Sequence, residues 1–209
     1  IIYNPSSISL TKDSGMNPAT PTVQGGDVVS WEIHPALPTG LSINPSTGTI
    51  SGTPASTSPI ASYTVYANNT GGSATAVLTI EILEAPPSSI TYVPGSFTLT
   101  KGTPLGAVIP TAQGDPVDIW SISPTLPLGL VFDTTNGELS GTPTAVSPLT
   151  TYTVTATNNG GTGTVTITIQ VNDVAPSSIT YTPNFRELNK DTQMQTNTPT
   201  NQGGDVDSW

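Results

Sequence analysis

The residues able to do chemistry are few and scattered. One histidine, fourteen acids, four cations and no cysteine lie in 209 residues. A lone His34 rules out a serine, histidine and aspartate relay, and it faces Ser123 in the internal alignment described below, so neither an acid/base nor a metal role is expected of it. Thiolate metal sites and disulfides are excluded. The acids fall along loops and not as a pair in one cleft, which argues against glycoside hydrolysis and leaves the chain without an enzymatic reading. Calcium is the one cofactor with any candidates: Glu84, Asn172 and Asp173, joined by Asp115 or Asp118. A calcium ion wants six to eight oxygens, and a few carboxylates at long spacing fall short, which favours solvated linker residues. Lys12, Lys101 and Lys190 raise a second chemistry, an internal amide to Asn69 or Asn158. The sequences Lys-Asp-Ser-Gly and Lys-Gly-Thr-Pro read instead as exposed turns.

Those lysines stand 89 residues apart, as do Tyr3, Tyr92 and Tyr181, and Trp31, Trp120 and Trp209. Gly40 to Pro54, GLSINPSTGTISGTP, returns as Gly129 to Pro143, GLVFDTTNGELSGTP. Such a period identifies a tandem array, here predicted as repeats 1–86 and 87–175 with an incomplete third at 176–209. The chain reads as an excerpt of a longer array.

Within one period the apolar pattern is that of strands. Tyr63, Val65 and Ala67 alternate with polar residues, as do Ala76, Leu78, Ile80 and Ile82, and the second copy repeats both runs from Tyr152. Pro or Gly interrupts nearly every ten residues, and no run has helical period. The expectation is an all-β unit of about seven short strands, with Pro5 breaking a first strand at a sheet edge, a short strand at Thr20 to Gln24, and Gly48 taking a positive φ at the end of a turn. Trp31 and Trp120 share a face with Ile33 and Ile122, so they are predicted, with Tyr63 and Tyr152, to be core and not sugar-stacking platforms. Asn68-Asn69-Thr70 is the one glycosylation pattern, at Asn68.

Charged residues make up only 9% of the chain, and its net charge is -10. Nucleic acid is excluded as a partner, because it requires clustered positive charge. No apolar run approaches the roughly 20 residues of a membrane span.

The Leu-Pro-x-Gly-Leu lead-in, the Gly-x-(Ile/Leu)-Ser-Gly-Thr-Pro core and the Tyr-Thr-Val-x-Ala strand occur together, in order and twice. This combination resembles the putative Ig domain repeat of the He_PIG type, a cadherin-like or dystroglycan-like β-sandwich module of large secreted and surface proteins of bacteria and archaea. The resemblance covers both full units and implies no catalytic residues. It implies an extracellular, cell-surface adhesin stalk or fibre spacer; the alternatives are a subunit of a helical extracellular filament or sheath, and a carbohydrate- or protein-binding module. Partners on this reading are neighbouring repeats, identical chains in a fibre, or surface glycans. The full acidic linker pattern of calcium-binding cadherins is missing.

Overall fold

The computed structural model describes residues 1–204 and 206, so Trp209 lies outside the described residues. Among the described residues every regular element is a strand, as the period-two pattern requires. Two compact units divide the chain: residues 1–89 with segments 112–118 and 156–163 form one, and the remaining described residues form the other.

In the first repeat, β1 (Ser7–Thr11), β2 (Ser30–His34), β5 (Ser58–Asn69) and β6 (Gly72–Leu83) make a sheet in the order β1-β6-β5-β2. β3 (Leu41–Ile43) and β4 (Ile50–Gly52) pair antiparallel as the start of the facing layer. β1 runs parallel to β6 at the sheet edge, where Pro5 ahead of it interrupts no ladder. The twelve-residue strands β5 and β6 carry the alternation seen in the sequence. Tyr63, Val65, Ala67, Leu78, Ile80 and Ile82 are all buried against Ile50, Leu41, Trp31 and Tyr3. The short strand expected at Thr20 to Gln24 is not formed: only single bridges, Ile2 to Thr22 and Ala19 to Ile50, hold this stretch. Pro21 lies inside the stretch, yet the equivalent residues of the later copies, Thr111–Gln113 and Thr200–Gln202, do form strands just after Pro110 and Pro199.

The second repeat follows the same plan with more of its edges paired. β7 (Ser88–Thr91) joins β10 (Thr111–Gln113). β8 (Ser96–Thr100), β11 (Ile119–Ser123), β14 (Ser147–Asn158) and β15 (Gly161–Asn172) form the sheet β11-β14-β15-β8. β9 (Leu105–Val108), β12 (Leu130–Phe132) and β13 (Leu139–Gly141) form its partner. The start of a third copy contributes β16 (Ser177–Thr180) and β17 (Thr200–Gln202), paired antiparallel.

The duplicated fifteen-residue stretch is where the layers are tied. Tyr3 Oη donates to the Gly48 carbonyl at 2.5 Å, and Tyr92 Oη to Gly137 at 2.6 Å. Burial pushes the Tyr3 phenol up to about 12 and moves Tyr92 further the same way. Gly48 takes φ 72° and Gly137 φ 76°, and a Cβ at Gly48 would lie 2.5 Å from the Trp31 ring. Trp31 in turn donates its backbone N–H to the Pro45 carbonyl at 2.9 Å. Each copy thus folds one turn over one indole and pins it with one phenol.

Candidate functional site

The turn that opens this stretch shows what the repeat tolerates. Asn44 Oδ1 accepts from the amides of Ser46 and Thr47 at 2.9 and 3.2 Å. Its counterpart Asp133 accepts from Thr135 N–H at 2.8 Å and Thr135 Oγ1 at 2.7 Å, and these donors hold its carboxyl below the usual carboxylate range. Amide and carboxylate do the same Asx-turn work here. The perturbed acid is a structural acceptor.

A denser polar constellation gathers on the linker that follows β6. Lys12 sits in the turn after β1, its backbone N–H bound to Leu83 O, and its side chain is 27% exposed. It is not the idle exposed turn residue expected from sequence: its Nζ donates to Asp115 Oδ1 at 2.5 Å and lies 3.6 Å from Asp13. Asp115 Oδ2 accepts from the Ala85 amide at 2.8 Å, and the Asp115 amide returns a bond to Ala85 O at 3.1 Å. The ammonium and the Ala85 amide together pull the Asp115 carboxyl below its ordinary value, and Asp115 chiefly raises Lys12.

The two asparagines considered as amide acceptors are occupied otherwise. Asn158, only 5% exposed, donates to Ala85 O at 2.9 Å and Pro116 O at 3.4 Å and accepts from Gly160 N–H. Asn69 donates to Asp27 O and accepts from Gly71 N–H. Neither accompanies Lys12.

The calcium candidates do not converge into one ligand set. Glu84 keeps its Oε2 buried with no hydrogen-bond partner, while its amide donates to Asn159 Oδ1 at 2.9 Å. Asp118 is exposed, and Asp115 is held by an ammonium. In the second unit, Asn172 is exposed and Asp173 stands 3.8 Å from Lys101. Among the described residues no three His, Cys, Asp or Glu side chains are grouped to hold a metal.

His34 lies 4.0 Å from Glu32 and edge-on to Tyr66, with both polar side chains mostly exposed. Beside it an open apolar groove is lined by Ile33, Ala36, Leu37, Leu41 and Ile43. The second copy replaces Glu32, His34 and Tyr66 with Ser121, Ser123 and Thr155, so this decoration does not repeat. Trp31 and Trp120 are only 4% and 5% exposed, and Tyr63 and Tyr152 4% and 2%, leaving none of them free to stack on a sugar. Asn68, the last residue but one of β5, is half-buried. The Lys12, Asp115 and Ala85 cluster escaped sequence reasoning because its members are up to 103 positions apart.

Comparison with known proteins agrees with this picture of a module. The profile of the family described as "Putative Ig domain" matches residues 1–83 and 87–172. The serine-rich adhesin for platelets of Staphylococcus aureus is 29% identical over 144 residues, 68% of this chain but only 6% of the adhesin. Its counterpart in strain MRSA252 is also 29% identical over 68% of this chain, which there spans 10% of the relative's length. Extracellular domains 3-5 of Drosophila OTK superpose with a TM-score of 0.54 at 20% identity, covering 82% of this chain and 61% of that one, a likeness of fold alone. Among the described residues no helix is long and apolar enough to cross a membrane.

Proposed function

The chain belongs to the Putative Ig domain family, and from that membership we propose that it is a non-enzymatic structural segment of an extracellular surface protein, working as an adhesin stalk or fibre spacer. One observation carries this reading: what recurs between the copies is the core and its turns, and what varies is the outer surface. Trp31, Tyr3 and Gly48 each have an equivalent in the second copy, while Glu32, His34 and Tyr66 do not. A scaffold selected for folding and spacing leaves that pattern, whereas a recognition surface used in every repeat would keep its outer side chains. Its similarity to a short part of a large adhesin supports the same role at a cell surface.

The test is to remove one 89-residue period from the parent protein displayed on cells. A spacer predicts unchanged affinity of the remaining domains for their ligand in solution, with weaker attachment of whole cells as periods are removed. Lost affinity in solution would overturn it. The binding-module reading is favoured by the apolar groove beside His34 alone, and saturable capture of the 209-residue chain on a glycan or peptide array, abolished by Leu37→Asp, would establish it. The filament reading requires polymers of the purified chain in electron micrographs.

A further inference from the structure

The linker after β6 is held by polar groups with little apolar cover. Pro86 is exposed, and Glu84 and Ala85 are only partly buried. Yet the Glu84 amide, the Ala85 amide and the Ala85 carbonyl all have partners, contributed by Asn159, Asp115 and Asn158. Asp115 is central, since its two carboxylate oxygens tie the linker amide to the Lys12 ammonium on the preceding turn. We propose that Lys12, Asp115 and Ala85 form a reversible, charge-dependent latch that holds linker 84–86 and loop 112–118 in place at neutral pH and releases them in acid. The latch stands whether the array serves as a spacer or as a binding module.

Three features argue for it. A charge-assisted hydrogen bond is stronger than a neutral one, and here one carboxylate receives a cation and an amide together. Protonation removes its capacity to serve both. The position is also specific to this junction: Asp115 aligns with Gly26 and Gly204, and where the loop has Gly204, Lys101 finds the linker carboxylate of Asp173 at 3.8 Å. The lysine is thus repeated, while its acidic partner moves between loop and linker. The charged groups around the pair are Asp13 beside Lys12, Glu84 in the linker and Asp118 at the end of the loop. Asp115 is the acid in hydrogen-bond contact with the ammonium.

The sign follows from the shifts. Asp115 titrates below its ordinary 3.8 when folded, so its contribution is complete above 3.8 and is lost as the pH falls through the depressed value. Lys12 is raised from 10.5, so its contribution is lost only in strong alkali. The latch is closed between those limits.

Hydrogen exchange resolved by NMR on the 209-residue chain tests this. At neutral pH, Asp115→Ala should lower the protection of the Ala85 amide by about tenfold or more, the size expected for one charge-assisted bond, with the core amide of Ile80 unchanged. In the unmutated chain, acid should lower Ala85 protection along the Asp115 titration before Ile80 responds. Lys12→Met should return that titration toward 3.8. Ala85 protection that is indifferent to Asp115→Ala, or that falls only together with Ile80 in the acid titration, would overturn the latch. An intact mass short by one water would do so too, because Lys12 and Asp115 would then be joined by an amide and the contact could not open.

Discussion

At the scale of single residues, the Gly48 and Trp31 pair is the most exacting contact in the repeat. Alanine at Gly48 would have to hold φ near 72° and place its Cβ within 2.5 Å of the indole. The left-handed conformation costs roughly 1 to 2 kcal/mol and overpacking about 1 to 3 kcal/mol more. Gly102 supplies the control, with φ 77° and nothing within 4 Å of an added Cβ. Denaturant titration should therefore show Gly48→Ala losing about 3 kcal/mol and Gly102→Ala about 1 kcal/mol; equal losses would mean the indole yields freely. The phenol over the same turn gives a pH prediction. Tyr3 is raised from 10.0 to about 12, so the unfolded chain ionises first and the tyrosine's stabilising contribution, complete below pH 10, drains away as the pH climbs to about 12. The phenolate absorbance that Tyr3→Phe removes should appear together with the loss of β circular dichroism in that window. Tyr3 ionising while the fold persists would contradict the buried hydrogen bond.

At the scale of elements, β6 separates two kinds of position by one step along the chain. Leu78 is 1% exposed and Val77 is 59% exposed. Leu78→Ala should cost about 3 kcal/mol through lost contacts and a residual cavity, while Val77→Thr should stay within about 0.5 kcal/mol. Comparable losses at both sites would mean the sheet is covered on both faces. This alternation is why β5 and β6 were legible in the sequence: period two over twelve residues has no helical reading. Gly48 was legible for another reason, because it persists while the residues before it change. Thr20 to Gln24 shows that repeat equivalence does not guarantee an element: its counterparts Thr111–Gln113 and Thr200–Gln202 are strands, while in the first copy the stretch has only the bridge from Thr22 to Ile2, with Ala19 bridged to Ile50 ahead of it. Asp115 was legible as an acid near the linker, but its pairing with Lys12 was not. It occupies a position where the copies disagree, and comparing copies treats such differences as surface noise; only the fold carries it across 103 positions to Lys12.

At the scale of the whole molecule, the four cations decide where a basic-site protease can enter. In an unfolded chain the Lys101 to Gly102 bond is the most favourable for trypsin, since Lys12, Arg186 and Lys190 are each followed by an acid. Folding should reverse that order. Around Lys12 the amides of Lys12 and Asp13 are bound to Leu83 and Pro54, and around Lys101 those of Lys101 and Gly102 are bound to Asn172 and Pro143. A protease needs an extended, unpaired segment, so both bonds can be presented only after a strand pair opens. Between β16 and β17 no strand forms, Leu188 and Met194 are 63% and 56% exposed, and Lys190 lies in the open. Limited trypsin digestion of the native chain should accordingly cut first at Arg186 or Lys190 and leave one long amino-terminal fragment, while digestion in urea should open at Lys101. Mass spectrometry of the first products reads the difference. A native digest that begins at Lys101 would mean that the pairing of Lys101 with Asn172 opens more readily than this architecture allows.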